Sequence, residues 1–309
     1  MSLVESAVSF TYLSLSIASV YILVAIGFSI SFGSLRFVNM AHGALYLLGA
    51  YAGLFIAFEY EVGGLLAAYS PLGLSWGFAA ALILVPVVLF VIGIVMERLI
   101  GKPLYDRSML DQLLVTFGIL IIIQEAMALL VGRGGFSYNR PGWAAGAIPL
   151  PGIGTASRWR IYVIGLTVVL LLVLFAFYKY TNYGLAVRGG TEDPEMVELL
   201  GIRVGRPFMI IFAIGAAYAG LGGILGGSLF TVNPEIGIEE ALIPALLVVV
   251  MGGVGSITGT VVAGLMVGVV FTATNSVYPS MAMASVFLLA IVVLTIRPTG
   301  LYGPDEVAG

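Results

Sequence analysis

Nine apolar runs, several of them near the twenty residues that a helix needs to cross a bilayer, constrain this 309-residue chain more than any other feature. They lie at about 9–32, 37–58, 76–96, 112–131, 160–178, 208–230, 237–251, 256–273 and 281–296. With 60% hydrophobic and 9% charged residues, the chain reads as an all-α polytopic membrane helix bundle of eight or nine spans, a single transmembrane domain over residues 1–309. Broken or re-entrant segments are expected at two places. One is the run around Asn39; the other is the pair of runs separated by "MGGVGSITGT", where glycines and Thr258 interrupt an apolar stretch. Residues 1–8 carry only Glu5 where a signal peptide needs basic residues, so the first run reads as a membrane helix.

Charge placement gives an orientation. Arg98, Lys102 and Arg107 follow the third run, and Lys179, Arg188, Arg203 and Arg206 fill the loop at 179–206, which the positive-inside rule assigns to the cytoplasm. "FEYEVGG" and "NPEIGIEE", without Lys or Arg, then fall outside, and Arg297 puts the carboxyl terminus inside. The loop at 132–159 conflicts with this, being outside by alternation yet holding Arg133, Arg140 and Arg158.

Several function classes are excluded. A net charge of −3 without a basic tract leaves nothing to hold nucleic acid. No cysteine and one histidine leave neither a thiol nucleophile nor the ligand set of a zinc site, so no metal is expected. The absence of G-x-x-x-x-G-K-[ST] means that the chain has no phosphate loop with which to hydrolyse ATP, and H-E-x-x-H and G-x-S-x-G are absent too. The expectation is a transport protein, not an enzyme.

Polar residues inside the apolar runs are the candidate pathway. If 37–56 is helical, Asn39, His42, Tyr46, Gly49 and Gly53 share one stripe, opposite Ala44, Leu48 and Phe55. Such a stripe faces protein or a water-filled path, as packing contact or as pathway. In the fourth run, Asp111, Gly118 and Glu125 share a face by sevens, placing Glu125 in or near hydrocarbon with no basic partner visible in its layer. It is either a protonated or paired structural glutamate or the coupling acid of a secondary transporter. Thr116 and Gln124 of the same run complete the candidate pathway set. Gly215, Ala219, Gly223 and Gly227 recur every fourth residue, a small-residue strip for helix packing.

One cytoplasmic stretch, "RGGTEDPEMVELLGIRVGRP" at 188–207, is charged. Its centre predicts a short helix with Asp193 as N-cap, Pro194 at the first position and Gly201 at the end. It shows Met196, Val197, Leu199 and Leu200 on one side and the acids Glu195 and Glu198 elsewhere, with Glu192 just before the cap. A membrane-surface helix carries basic residues on its polar face, so this acidic one points to a protein partner.

The stretches "GSLRFVNMAHGALYLLGAY", "LLVTFGILIIIQE", "GLAVRGGTEDPEMVELLGI", "NPEIG", "VVVMGGVGSITGTVVAGLMVG" and "IRPTGLYG" resemble, in this order and across nearly the whole chain, LivH-type permeases. These are membrane subunits of ATP-binding-cassette importers for branched-chain amino acids. The resemblance implies a second permease subunit, two separate ATPase subunits holding ATP and Mg, an extracytoplasmic substrate-binding protein, and a place in the inner (plasma) membrane. It also implies that 188–207 is the coupling loop, with Glu192, Asp193, Pro194, Glu195, Leu199, Leu200 and Gly201 meeting an ATPase. Glu195 and Gly201 match part of E-A-A-x-x-x-G, while Met196 and Val197 stand in place of the two alanines. At "EEALIPALLVVV" the chain departs from many relatives, with Glu240 where a lysine is expected, and relatives of similar sequence carry urea, short amides or other small organic acids. The expected function is inward transport of a branched-chain amino acid or similar small polar solute by alternating access. The alternatives are an ion-coupled secondary transporter using Glu125 and a passive small-solute channel.

Overall fold

In the computed structural model, residues 3–138, 141–150 and 154–303 are described. Arg140, one of the three arginines in the conflicting outer loop, lies outside them. The first apolar run folds as α1 (Leu3–Leu35), about 50 Å long at 1.5 Å per residue. An irregular segment, 36–41, leads into α2 (His42–Ala57). Next come α3 (Phe78–Met96), a π-helical turn (Glu97–Gly101), the short α4 (Lys102–Leu104) and α5 (Met109–Val131). Ser108 caps α5 by accepting from the Asp111 N–H. A small antiparallel hairpin, β1 (Ala147–Leu150) and β2 (Gly154–Ser157), precedes α6 (Arg158–Tyr180). The chain continues through α7 (Asn182–Glu192), α8 (Pro194–Leu199) and α9 (Gly205–Gly226). A π-helical turn (Gly237–Leu242) runs into α10 (Ile243–Gly252), and α11 (Ile257–Val277) and α12 (Ala282–Ile296) close the fold.

Every apolar run thus contains a helix, but among the described residues only seven helices are long and apolar enough to cross a membrane. The other two are α2, with 16 residues, and α10 with its π turn. Sixteen residues extend about 24 Å, short of the roughly 30 Å hydrocarbon core. Both begin inside the bundle, where the backbones of Gly43 and Gly237 meet: a Cβ on Gly237 would lie 2.7 Å from the Gly43 carbonyl oxygen. The run expected to be helical from 37 is therefore corrected: its helix starts at His42.

Burial separates an inner group from an outer shell. The apolar windows of α1 and α9 are 89% and 72% buried, and most of α2 is buried with Leu48, Ala52, Phe55 and Ile56 half-buried, whereas α3, α5, α6 and α12 expose residues such as Ile83, Leu114, Leu172 and Ile291. The last set has the apolar outside that lipid requires. Since lipid is as apolar as a leucine, the inner helices gain by close backbone packing. A Cβ on Gly27 of α1 would lie 2.6 Å from the Gly215 carbonyl oxygen of α9, and one on Gly49 of α2 would strike Gly220. Gly215 faces α1, Gly223 faces Tyr46 and Ala50 of α2, Gly227 faces the Tyr138 ring, and Ala219 is buried. The four small residues accordingly serve three neighbours, not one helix.

Lys179, Arg188, Arg203, Arg206, Arg98 and Lys102 gather at one end of the bundle. There Ser34 at the end of α1 meets Tyr178 at the end of α6, the Arg188 guanidinium donates to the Tyr178 carbonyl, and the α3–α4 junction borders the start of α9. At the opposite end, Arg133 is neutralised by Glu125 at 2.6 Å and Glu235 at 3.1 Å. That pairing removes much of the outer loop's apparent conflict with the charge rule.

Candidate functional site

The irregular segment 36–41 is the centre of the site. Backbone polar groups inside a membrane protein need partners, and unwound backbone survives there only where protein supplies them. α5 supplies them with side chains. The Val38 N–H donates to Gln112 Oε1 at 3.1 Å, and the Met40 N–H donates to Thr116 Oγ1 at 3.0 Å. Gln112 is itself fixed, its amide donating to the Leu104 carbonyl at 3.1 Å, and the Thr116 hydroxyl donates to the Gln112 carbonyl at 2.6 Å. Gln112, Thr116, Leu120, Gln124 and Ala128 are the buried stripe of α5, and Gln124 Oε1 has no hydrogen-bond partner among the described residues.

Asn39 precedes the helix, so the single stripe drawn through Asn39, His42 and Tyr46 is corrected. The Asn39 carbonyl accepts the His42 N–H at 3.1 Å and the residue is buried. His42 opens α2 and its Nε2 lies 3.0 Å from the Val24 carbonyl oxygen of α1. A carbonyl only accepts, so Nε2 carries a proton and donates. Phe28 packs edge-on against it at 5.6 Å. Tyr46, fully buried, lays its ring against Gly222 and Gly226 of α9.

Around Tyr46 lies a polar group of which the sequence singled out Tyr46 and Glu240 but not Tyr21. Tyr21 of α1 and Glu240 of the π turn face each other, with Tyr46 close to the same carboxylate. The Tyr21 and Tyr46 hydroxyls and Glu240 Oε2 are buried without hydrogen-bond partners among the described residues. Tyr21 was hidden among apolar residues of a long run; Gln112, although polar at the head of the fourth run, gave no hint of a partner 74 residues earlier.

Glu125 is elsewhere. Its carboxylate is 46% exposed and paired with Arg133, and Gly118 has nothing within 4 Å of a Cβ position. The expectation of a glutamate with no basic partner in its layer is corrected, and the heptad Asp111, Gly118, Glu125 lies on the outer side of α5. At the end of the bundle that holds Arg133, the loop residue Tyr138 inserts between α2 and α9 and donates to the Ala50 carbonyl at 2.6 Å. Burial pushes its hydroxyl well above the ordinary phenol range, so it stays protonated and keeps donating.

At the basic end, α7 and α8 form a hairpin on the surface. Asp193 Oδ1 accepts the Met196 N–H at 2.9 Å, Pro194 opens α8, and Gly201 follows with φ +82°, a left-handed position suited to glycine. Glu192 ends α7, and Glu195 is exposed in the first turn of α8. Val197 turns inward to Gly189, whereas Leu199 and Leu200 are 82% and 72% exposed. Among the described residues no group of three His, Cys, Asp or Glu could hold a metal ion.

Comparison with known proteins gives this arrangement a context. A family model described as the permease component of branched-chain amino acid transport systems matches residues 11–296. The high-affinity branched-chain amino acid transport system permease protein LivH of Escherichia coli is 31% identical over 302 residues, 94% of each chain. BraD of Pseudomonas aeruginosa, with the same description, is 32% identical over 298 residues, covering 95% of this chain and 94% of the relative. A probable LivH of Methanocaldococcus jannaschii is 22% identical over 310 residues, covering 93% of this chain and 90% of the relative. No solved structure matches significantly.

Proposed function

This chain belongs to the family of branched-chain amino acid transport system permease components, and on that premise we propose that it forms half of the membrane pathway of an ATP-driven importer for a branched-chain amino acid. It is a multi-pass membrane protein and a permease; the cell's inner membrane is its proposed place. A second permease subunit supplies the other half, an extracytoplasmic binding protein delivers the solute, and two ATPase subunits bind ATP and Mg and hydrolyse the nucleotide. The observation that carries the reading is the exposed pair Leu199 and Leu200 on a capped helix at the basic end. Large apolar side chains held out on a fixed helix are anchors for a groove on a partner.

The proposed mechanism is alternating access. Closure of the ATPases pushes α8 through Leu199 and Leu200, with Glu192, Asp193, Pro194, Glu195 and Gly201 fixing its shape. The push reaches the interior, where Asn39, His42, Tyr46, Thr116 and Gln124 surround the unwound start of α2. Side-chain partners can be exchanged there for those of a passing solute, which a continuous helix does not allow. Glu125, half exposed and paired, lacks the desolvated setting of a proton-coupling acid.

The test is uptake into vesicles carrying the reconstituted subunits. Uptake requires internal ATP and survives collapse of the proton gradient at constant ATP, and Glu125→Gln transports near the wild-type rate. Uptake abolished by an uncoupler at constant ATP, together with an inactive but folded Glu125→Gln, rejects the reading in favour of ion coupling.

A further inference from the structure

A cavity of about 450 Å³ opens at the basic end, between the α3–α4 junction and the start of α9, and its lining residue Tyr105 packs edge-on against Phe37 of the unwound segment at 5.5 Å. Arg98, Lys102, Arg203 and Arg206 line it, with Tyr183 and Phe208 on its walls. None of the four cations forms a salt bridge among the described residues. The wall's acid, Glu97, is buried and accepts the Tyr105 hydroxyl at 3.1 Å. Glu97 also faces Lys102 and Arg98, so four cations stand against one carboxylate; the space keeps a net positive charge, and an anion between the cations relieves their repulsion.

The cavity's position says what kind of anion. Arg203, Arg206 and Lys102 lie where the spans end, at the level of lipid headgroups on the basic side. From there towards the middle of α3, Leu99, Val95 and Val91 form an exposed apolar track of successive helical turns. A basic pocket continued by an apolar track has the outline of one molecule with an anionic head and acyl chains. We propose that this cavity binds the phosphate headgroup of an anionic phospholipid of the cytoplasmic leaflet, its chains lying along α3. Arg203 and Arg206 contact the phosphate from the α9 side and Arg98 and Lys102 from the α3–α4 side. The guanidinium forks give paired N–H donors to the phosphate oxygens.

The experiment is native mass spectrometry of the purified full-length permease in detergent, titrated with phosphatidylglycerol or with phosphatidylcholine of the same chains. The wild type retains phosphatidylglycerol preferentially, and phosphatidylglycerol raises its thermal unfolding midpoint. Each basic residue at an anionic lipid surface contributes a factor of about five in affinity, so Arg203→Ala with Arg206→Ala weakens retention about 25-fold. Arg203→Lys with Arg206→Lys keeps charge and most of the retention, which separates loss of the site from loss of the fold. Inorganic phosphate is the control for a free anion. Equal retention of phosphatidylcholine, or inorganic phosphate stabilising the protein and blocking phosphatidylglycerol at millimolar concentration, overturns the lipid assignment. So does unchanged lipid retention in the double alanine variant with loss of ATPase co-purification, which makes these arginines a protein contact.

Discussion

At the scale of single residues, the break before α2 stands on two side chains of α5. Gln112→Leu leaves the Val38 N–H buried without its partner, a loss of about 1–3 kcal/mol. The expected outcome is a lower unfolding midpoint in detergent together with reduced uptake; an unchanged midpoint means that the segment finds another acceptor. His42 offers a finer comparison, since its ring hydrogen-bonds to the α1 backbone. His42→Gln can still donate to the Val24 carbonyl, whereas His42→Leu cannot, so uptake per folded molecule falls further in the leucine variant. Equal, wild-type rates for both variants show that the imidazole only fills space. These residues also mark where reading the sequence stops. Asn39 marked this run as a place for a break, but apolar periodicity through 37–58 does not show that the backbone unwinds as far as 41, because what satisfies it comes from another helix. The Arg133–Glu125 pair was hidden for a related reason: helical spacing locates Glu125 on α5 but says nothing of how the loop after Val131 folds back over it.

At the scale of elements, the α7–α8 hairpin was legible because its signals are local. An aspartate cap, a proline at the first helical position and a glycine after the last turn act within a few residues, and the structure holds all three. The nine apolar runs were legible for the same reason. The shortness of α10 was half visible, in the glycines that end it. Which side chains of α8 stay exposed required the structure: Val197 packs inward, leaving Leu199 and Leu200 outside. Replacing both leucines by serine leaves the bundle folded but weakens ATPase co-purification at least about tenfold, as loss of two anchors does. Gly201→Val, which forces a β-branched residue to φ +82°, lowers substrate-stimulated hydrolysis with less effect on folding. Full co-purification and stimulation with the double serine variant rule out the socket role for α8.

At the scale of the whole molecule, these 309 residues include no cysteine, so single introduced cysteines report sidedness directly. Ser70 lies in the loop between α2 and α3, and Glu195 in α8 at the opposite, basic end. In intact cells Ser70→Cys reacts with a membrane-impermeant thiol reagent, while Glu195→Cys reacts only after permeabilisation. The reverse pattern inverts the bundle and with it every assignment at the basic end. Sidedness also frames what can move. Where Gly27 meets Gly215 and Gly49 meets Gly220, main chain rests on main chain with no side chains between. Such a seam has no rotamers to exchange and no slack to shear, so it is kept whole or lost whole. α1, α2 and α9 are consequently joined as one welded keel, and in the proposed mechanism a stroke delivered at α8 turns that keel against its surroundings instead of bending it.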